Sequence, residues 1–152
     1  MNQTPQPATA IPTDFPPPTQ DEKTLAFLAE LLQLFTGFLG PLIIFLVRRN
    51  SRFVSFHALQ ALLWQVLYLI LVALVMLSFF FTFLASVPDR GRETERQPEL
   101  SFFLAFLPFW GVAMVGWVIN LILAIVYGIK ALNGQWAEYP LLGKLARRWA
   151  CG

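Results

Sequence analysis

Three stretches of this sequence, residues 31–47, 53–87 and 100–129, contain no Asp, Glu, Lys or Arg. A helix needs roughly 20 apolar residues to cross the ~30 Å hydrocarbon core of a bilayer, and with its edges each stretch reaches about that length. A buried helix in a soluble core explains one such run, but three in 152 residues point to a membrane. The charges agree: 13% of residues are charged, about half the density of a soluble domain. In lipid, backbone donors and acceptors must be satisfied within the element, so these runs are expected to be helices. They lack the alternation of a transmembrane barrel. The expected fold is all-α, a polytopic transmembrane helical protein.

Breakers and charges set the expected organisation. Residues 1–20 are rich in Pro, Thr and Gln and read as a disordered tail, with a proline-motif docking site as the lesser alternative. Residues 21–149 form the transmembrane helical domain, with spans at about 25–47, 63–86 and 102–129, and residues 150–152 are the C-terminal end. The first span opens at Asp21-Glu22-Lys23-Thr24, which offers a cap and acidic charge to a helix N-terminus. Glu30 lies near enough to that end to reach headgroups, while Gly37 and Gly40-Pro41 predict a kink. Residues 53–87 exceed one crossing, so 53–62 read as a short interfacial helix before the second span. The third run is also too long, and predicts tilt, a kink at Pro108, or a re-entrant start. The tail after Lys130 is amphipathic. Trp136, Tyr139 and Trp149 suit headgroup level, and Lys144, Arg147 and Arg148 suit anionic lipids.

Orientation follows from the cations. Arg48, Arg49 and Arg52 follow the first span, and Lys130, Lys144, Arg147 and Arg148 follow the third. Lys23 precedes the first span, and Arg90, Arg92 and Arg96 lie in the second loop among four acids. Three spans then put the first loop and the C-terminus in the cytoplasm and the N-terminus outside.

Two polar or small-residue patterns stand out. His57, Gln60, Trp64 and Tyr68 share one helix face. Polar groups in a bundle usually bond across helices; the functional alternative is a substrate path or a proton-sensitive site at His57. Gly116, Asn120, Ala124 and Gly128 recur every four residues, a spacing that lets helices approach closely, either inside the monomer or between copies. The sole cysteine, Cys151, is penultimate and has no prenylation box.

No glycine-rich phosphate loop, Cys/His metal cluster or Gly-x-Ser-x-Gly elbow occurs. The chain is therefore expected to be neither an enzyme nor a cofactor carrier. A membrane-surface site using His57 or Glu138 is the remote alternative. Cations confined to the span ends point to membrane lipids, not nucleic acid, as partners.

Certain motifs resemble a known family. Asp21-Glu22-Lys23-Thr24-Leu25, then Thr36-Gly37-Phe38-Leu39-Gly40-Pro41-Leu42, is similar to the opening of a widespread, uncharacterised bacterial integral membrane protein family. Phe53-Val54-Ser55-Phe56-His57-Ala58-Leu59-Gln60-Ala61 resembles its most recognisable motif, and residues 129–143, with Tyr139, Pro140 and Gly143, resemble its closing one. The resemblance covers residues 21 to about 146. It implies a bacterial inner (plasma) membrane protein related to the chloroplast inner-envelope import component of the Tic-twenty type, whose four helices contrast with three spans here. The implied function is a translocon or scaffold subunit acting by helix–helix assembly, as a homo-oligomer or with other membrane proteins. The alternative is a small-solute or ion transporter or channel formed by an oligomer.

Overall fold

The computed structural model of the chain describes residues 16–86 and 98–151. Most of the proline-rich tail, and the loop bearing Arg90, Arg92 and Arg96, lie outside the described residues. Five helices follow in order: α1 (Gln20–Thr36), α2 (Leu39–Val47), α3 (Arg52–Ser86), α4 (Pro98–Leu132) and α5 (Gly143–Cys151).

The expected first span is not one helix. Among the described residues only α3 and α4 are long and apolar enough to cross a membrane, two helices where three spans were expected at 25–47, 63–86 and 102–129. The cause is Pro41. A proline ring clashes with the carbonyl four residues earlier, here that of Gly37, and cannot donate to it. Gly37 leaves the helix at φ +60°, a backbone region that glycine enters without a Cβ penalty. Pro41 then sits in the first turn of α2, where its missing N–H costs nothing.

The break is a reversal. From Glu22 to Thr36, α1 advances about 21 Å, and a straight continuation would carry Ser51 farther still. Instead Ser51 lies beside Glu22 and is the largest cause holding that carboxyl below its usual range. A Cβ on Gly40 would stand 2.6 Å from Leu32 Cβ. Residues 20–47 are therefore a helical hairpin that enters and returns at the same end. Its entry is fixed by a capping box: Thr19 Oγ1 accepts from the Glu22 N–H at 3.3 Å, and the Glu22 carboxylate accepts from the Thr19 N–H at 2.8 Å.

The interfacial helix expected at 53–62 is also corrected. These residues are the first turns of α3, 35 residues long without a break, because no Gly or Pro interrupts it and its polar side chains find partners inside the protein. At about 52 Å, α3 is longer than a ~30 Å core. The extra length is the end packed by α1, α2 and α5. α4 also runs unbroken, through Pro108, and is antiparallel to α3: the Tyr68 hydroxyl donates to the Ala113 carbonyl at 3.3 Å, and Phe79 meets Phe106 and Phe109. The amphipathic C-terminal segment is α5, whose Ala146 packs with Phe56 and Leu59.

The start of α1, the turn at 48–51, the end of α4 and α5 thus gather at one end of the bundle. Beyond the hairpin, α3 and α4 continue as a pair with apolar side chains facing outward; Leu74, Phe81, Leu107 and Val115 are 59%, 60%, 69% and 61% exposed. The most apolar window of α3 is wholly unburied, as a lipid-facing surface requires.

Two predictions follow. Compartment reporters fused to the N- and C-termini should report the same side of the membrane; opposite sides would restore a third crossing. Gly40→Val should destabilise the protein by about 1–3 kcal/mol through overpacking against Leu32, read by thermal unfolding in detergent.

Candidate functional site

At the packed end, polar side chains from α1, α3 and the segment after α4 converge out of contact with solvent. Glu30, His57 and Gln60 are 0% exposed, Gln33 1% and Tyr139 2%. Glu30 and Gln33 lie one helical turn apart on α1, as do His57 and Gln60 on α3.

His57 Nε2 stands 3.1 Å from the Gln135 carbonyl oxygen. That oxygen only accepts, so Nε2 carries a hydrogen. His57 Nδ1 stands 3.0 Å from Glu30 Oε1, and a proton must lie between them: the pair is either imidazolium–carboxylate or imidazole–carboxylic acid. Glu30 Oε2 accepts from the Tyr139 hydroxyl and, at 3.4 Å, from Gln33 Nε2. Gln60 bridges to the loop, donating to the Ala137 carbonyl at 2.9 Å and accepting from the Tyr139 N–H at 3.2 Å. The Tyr127 hydroxyl donates to the Glu138 carbonyl at 2.9 Å.

Residues 133–142 belong to no helix, so their buried backbone groups need side-chain partners. The cluster supplies them. The segment leaves α4 through a Schellman turn: the Gln135 N–H donates to the Lys130 carbonyl and the Gly134 N–H to that of Ala131, with Gly134 at φ +73°. Trp136 then inserts between Phe53 and Phe56, at 5.3 and 5.4 Å between ring centroids. Outside, Arg147 pairs with Glu138 at 3.1 Å.

Of the expected polar stripe, His57 and Gln60 enter this cluster. Trp64 faces the Tyr139 ring at 6.1 Å, and Tyr68 packs on α4 a full turn farther along. Glu30 does not reach headgroups, and Trp136 and Tyr139 point inward; Trp149, 64% exposed, faces out. The small-residue face is occupied within the chain: Tyr68 covers Gly116, Phe27 covers Gly128, and Asn120 and Ala124 are buried. Lys23, Arg48, Arg49, Arg52, Lys130, Lys144, Arg147 and Arg148 all lie on the elements at the packed end. Among the described residues, no three His, Cys, Asp or Glu side chains cluster as metal ligands. Glu30, Gln33 and Gln65, whose Nε2 donates to the Gln33 carbonyl, were absent from the sequence candidates. The available signal was the pair of polar residues at i and i+3 in an otherwise apolar run.

Burial first, and then the Glu30 charge, push the Tyr139 hydroxyl well above the usual tyrosine value of 10.0. A raised folded-state pKa contributes stability that is fully present below the unfolded value and lost as pH rises above it. The protein should therefore weaken above pH 10, and Tyr139→Phe should flatten that alkaline limb in thermal unfolding. At neutral pH the same substitution should cost about 1–2 kcal/mol for the lost bond to a buried carboxylate.

No curated protein and no solved structure matches this chain. Neither comparison bears on the expected relationship to the chloroplast import component. A family model does match residues 21–146, from the first turn of α1 to the middle of α5, and includes every member of the buried cluster. With two apolar helices free to meet lipid and most of its length matched, the chain belongs to the magnetosome magnetite crystal formation protein family.

Proposed function

We propose that this protein is a scaffold subunit of a bacterial inner membrane, supporting magnetite crystal formation by helix–helix assembly with further copies or other membrane proteins. The observation that carries the reading is the division of α3 and α4 into two halves. Near the packed end they are held by α1, α2 and α5; beyond it they stand as a bare pair whose apolar side chains, Leu77 and Val115 among them, face outward. An open groove of about 430 Å³ between them, lined by Leu74, Phe79, Pro108 and Val112, adds relief to that surface. Such a surface fits lipid chains and neighbouring helices, and packing contacts drive helix association in membranes. By the bias of cations to the cytoplasmic side, the packed end faces the cytoplasm.

A transporter is the second reading, favoured by the break at Gly37 in an apolar segment, since interrupted membrane helices often line binding sites. We assign no catalysis: His57 is sealed from solvent, and Glu138 is paired with Arg147.

Native mass measurement of the full chain in mild detergent, with disulfide trapping of Leu77→Cys and Val115→Cys in the membrane, tests the scaffold reading. The expected result is a discrete oligomer or a defined partner, trapped through these positions, together with altered crystals on deletion. A strict monomer without partners, and unaltered crystals, would overturn it.

A further inference from the structure

The geometry of the buried cluster points to a metal site: we propose that Glu30, His57 and Tyr139 bind one divalent first-row transition cation, iron(II) foremost, in exchange for two protons. The proposal goes beyond the scaffold reading and does not depend on it.

The donors are already oriented. His57 Nδ1 and Glu30 Oε1 are 3.0 Å apart. A cation about 2.1 Å from each would see them at roughly 90°, the angle between neighbouring ligands in six-coordination. The opposite ring nitrogen, Nε2, donates to the Gln135 carbonyl at 3.1 Å, the arrangement by which metal-binding histidines are commonly held in one tautomer and orientation. The Tyr139 hydroxyl bonds the other carboxylate oxygen, which brings a third donor to the same carboxylate. Gln33 supplies an independent sign. Its Nε2 lies 3.1 Å from the Tyr139 oxygen, yet its amide oxygen, on a side chain 1% exposed, has no hydrogen-bond partner. A buried acceptor left without a donor costs free energy. A water bound to the cation and reaching past the amide to that oxygen would remove the cost.

Charge balance selects the valence. Glu30 and His57 share one proton, and Tyr139 holds a second, so the metal-free cluster is neutral. Removing both protons leaves carboxylate, neutral imidazole and phenolate, with a net charge of −2. A divalent cation restores neutrality, which matters because an uncompensated buried charge costs several kcal/mol. Mixed nitrogen and oxygen donors favour transition cations over magnesium or calcium, which prefer oxygen alone. The family's mineral makes iron the first candidate. The bonds from Gln60 to the Ala137 carbonyl and from the Tyr139 N–H to Gln60 involve neither exchanged proton and hold the loop, while Gln60 Nε2, 3.5 Å from both Glu30 Oε1 and His57 Nδ1, must turn its second hydrogen away from them as the cation enters.

The test uses the full chain in detergent, titrated anaerobically with ferrous ammonium sulfate, and separately with zinc and magnesium salts, in weakly buffered solution with a pH indicator. The expected result is one iron(II) per chain with release of about two protons, displacement by zinc and not by magnesium. Tyr139→Phe should retain its helical circular dichroism, bind at least roughly tenfold more weakly and release one proton fewer. Glu30→Gln should abolish binding; if it fails to fold, the wild-type chain and Tyr139→Phe still decide. A folded wild-type chain that takes up neither iron(II) nor zinc would overturn the site. So would uptake without proton release that Tyr139→Phe leaves unchanged, because that is the behaviour of surface carboxylates.

Discussion

The structure depends on one buried carboxylate. Glu30 lies within an apolar helix and is sealed from solvent. A lone carboxylate there would be costly in either protonation state, and each of its neighbours is in place to relieve that cost. His57 shares a proton with it, Tyr139 donates to it, and the Gln33 and Gln60 amides stand at the edge of bonding distance. These partners come from α1, α3 and the segment after α4, so satisfying one side chain brings together segments far apart in sequence.

That requirement also explains why the chain has two kinds of helix. The hairpin of α1 and α2 carries the charge down beside α3 and returns, without completing a crossing. Beyond its reach α3 and α4 carry no comparable polar burden. Their contacts there are aromatic, as among Phe79, Phe106 and Phe109, and Tyr68 fills the space opposite Gly116. One end of the molecule is held by hydrogen bonds and specific packing. The other is a smooth apolar pair suited to lipid and to other helices, and the scaffold reading rests on this division.

The cluster is more than a fastening. A structural latch could be built from amides and backbone alone, as Gln60 already demonstrates with its bonds to residues 137 and 139. The pairing of imidazole, carboxylate and phenol, with two exchangeable protons and an amide oxygen left over, adds chemistry that a latch does not need. The same atoms can hold the loop and admit a cation, because the bonds to the loop backbone run through Gln60 and His57 Nε2 and leave Nδ1, the carboxylate and the phenol oxygen to the ion.

Much of this was legible in the sequence. The charge-free runs specify membrane helices because lipid tolerates neither charge nor unpaired backbone. The cations of residues 48–52 and 130–148 mark one membrane face, and His57 with Gln60 is visible as a polar pair on an apolar helix. Pro41 and Gly37 announce a break, yet local sequence does not distinguish a kink from a reversal. That choice was made by contacts across the hairpin, Ser51 beside Glu22 and Leu32 against Gly40, and it left two helices long enough to cross a membrane where three spans were expected. The partners of His57 were beyond sequence reasoning for the same reason: Glu30 is 27 residues away and the Gln135 carbonyl 78. The sequence determined that the chain lives in a membrane, where its helices lie and which end carries charge, since these follow from transfer of side chains and backbone out of water. Only the tertiary structure decided that residues 20–47 turn back and that five polar residues from three separate segments share one buried site, because both depend on which distant surfaces meet.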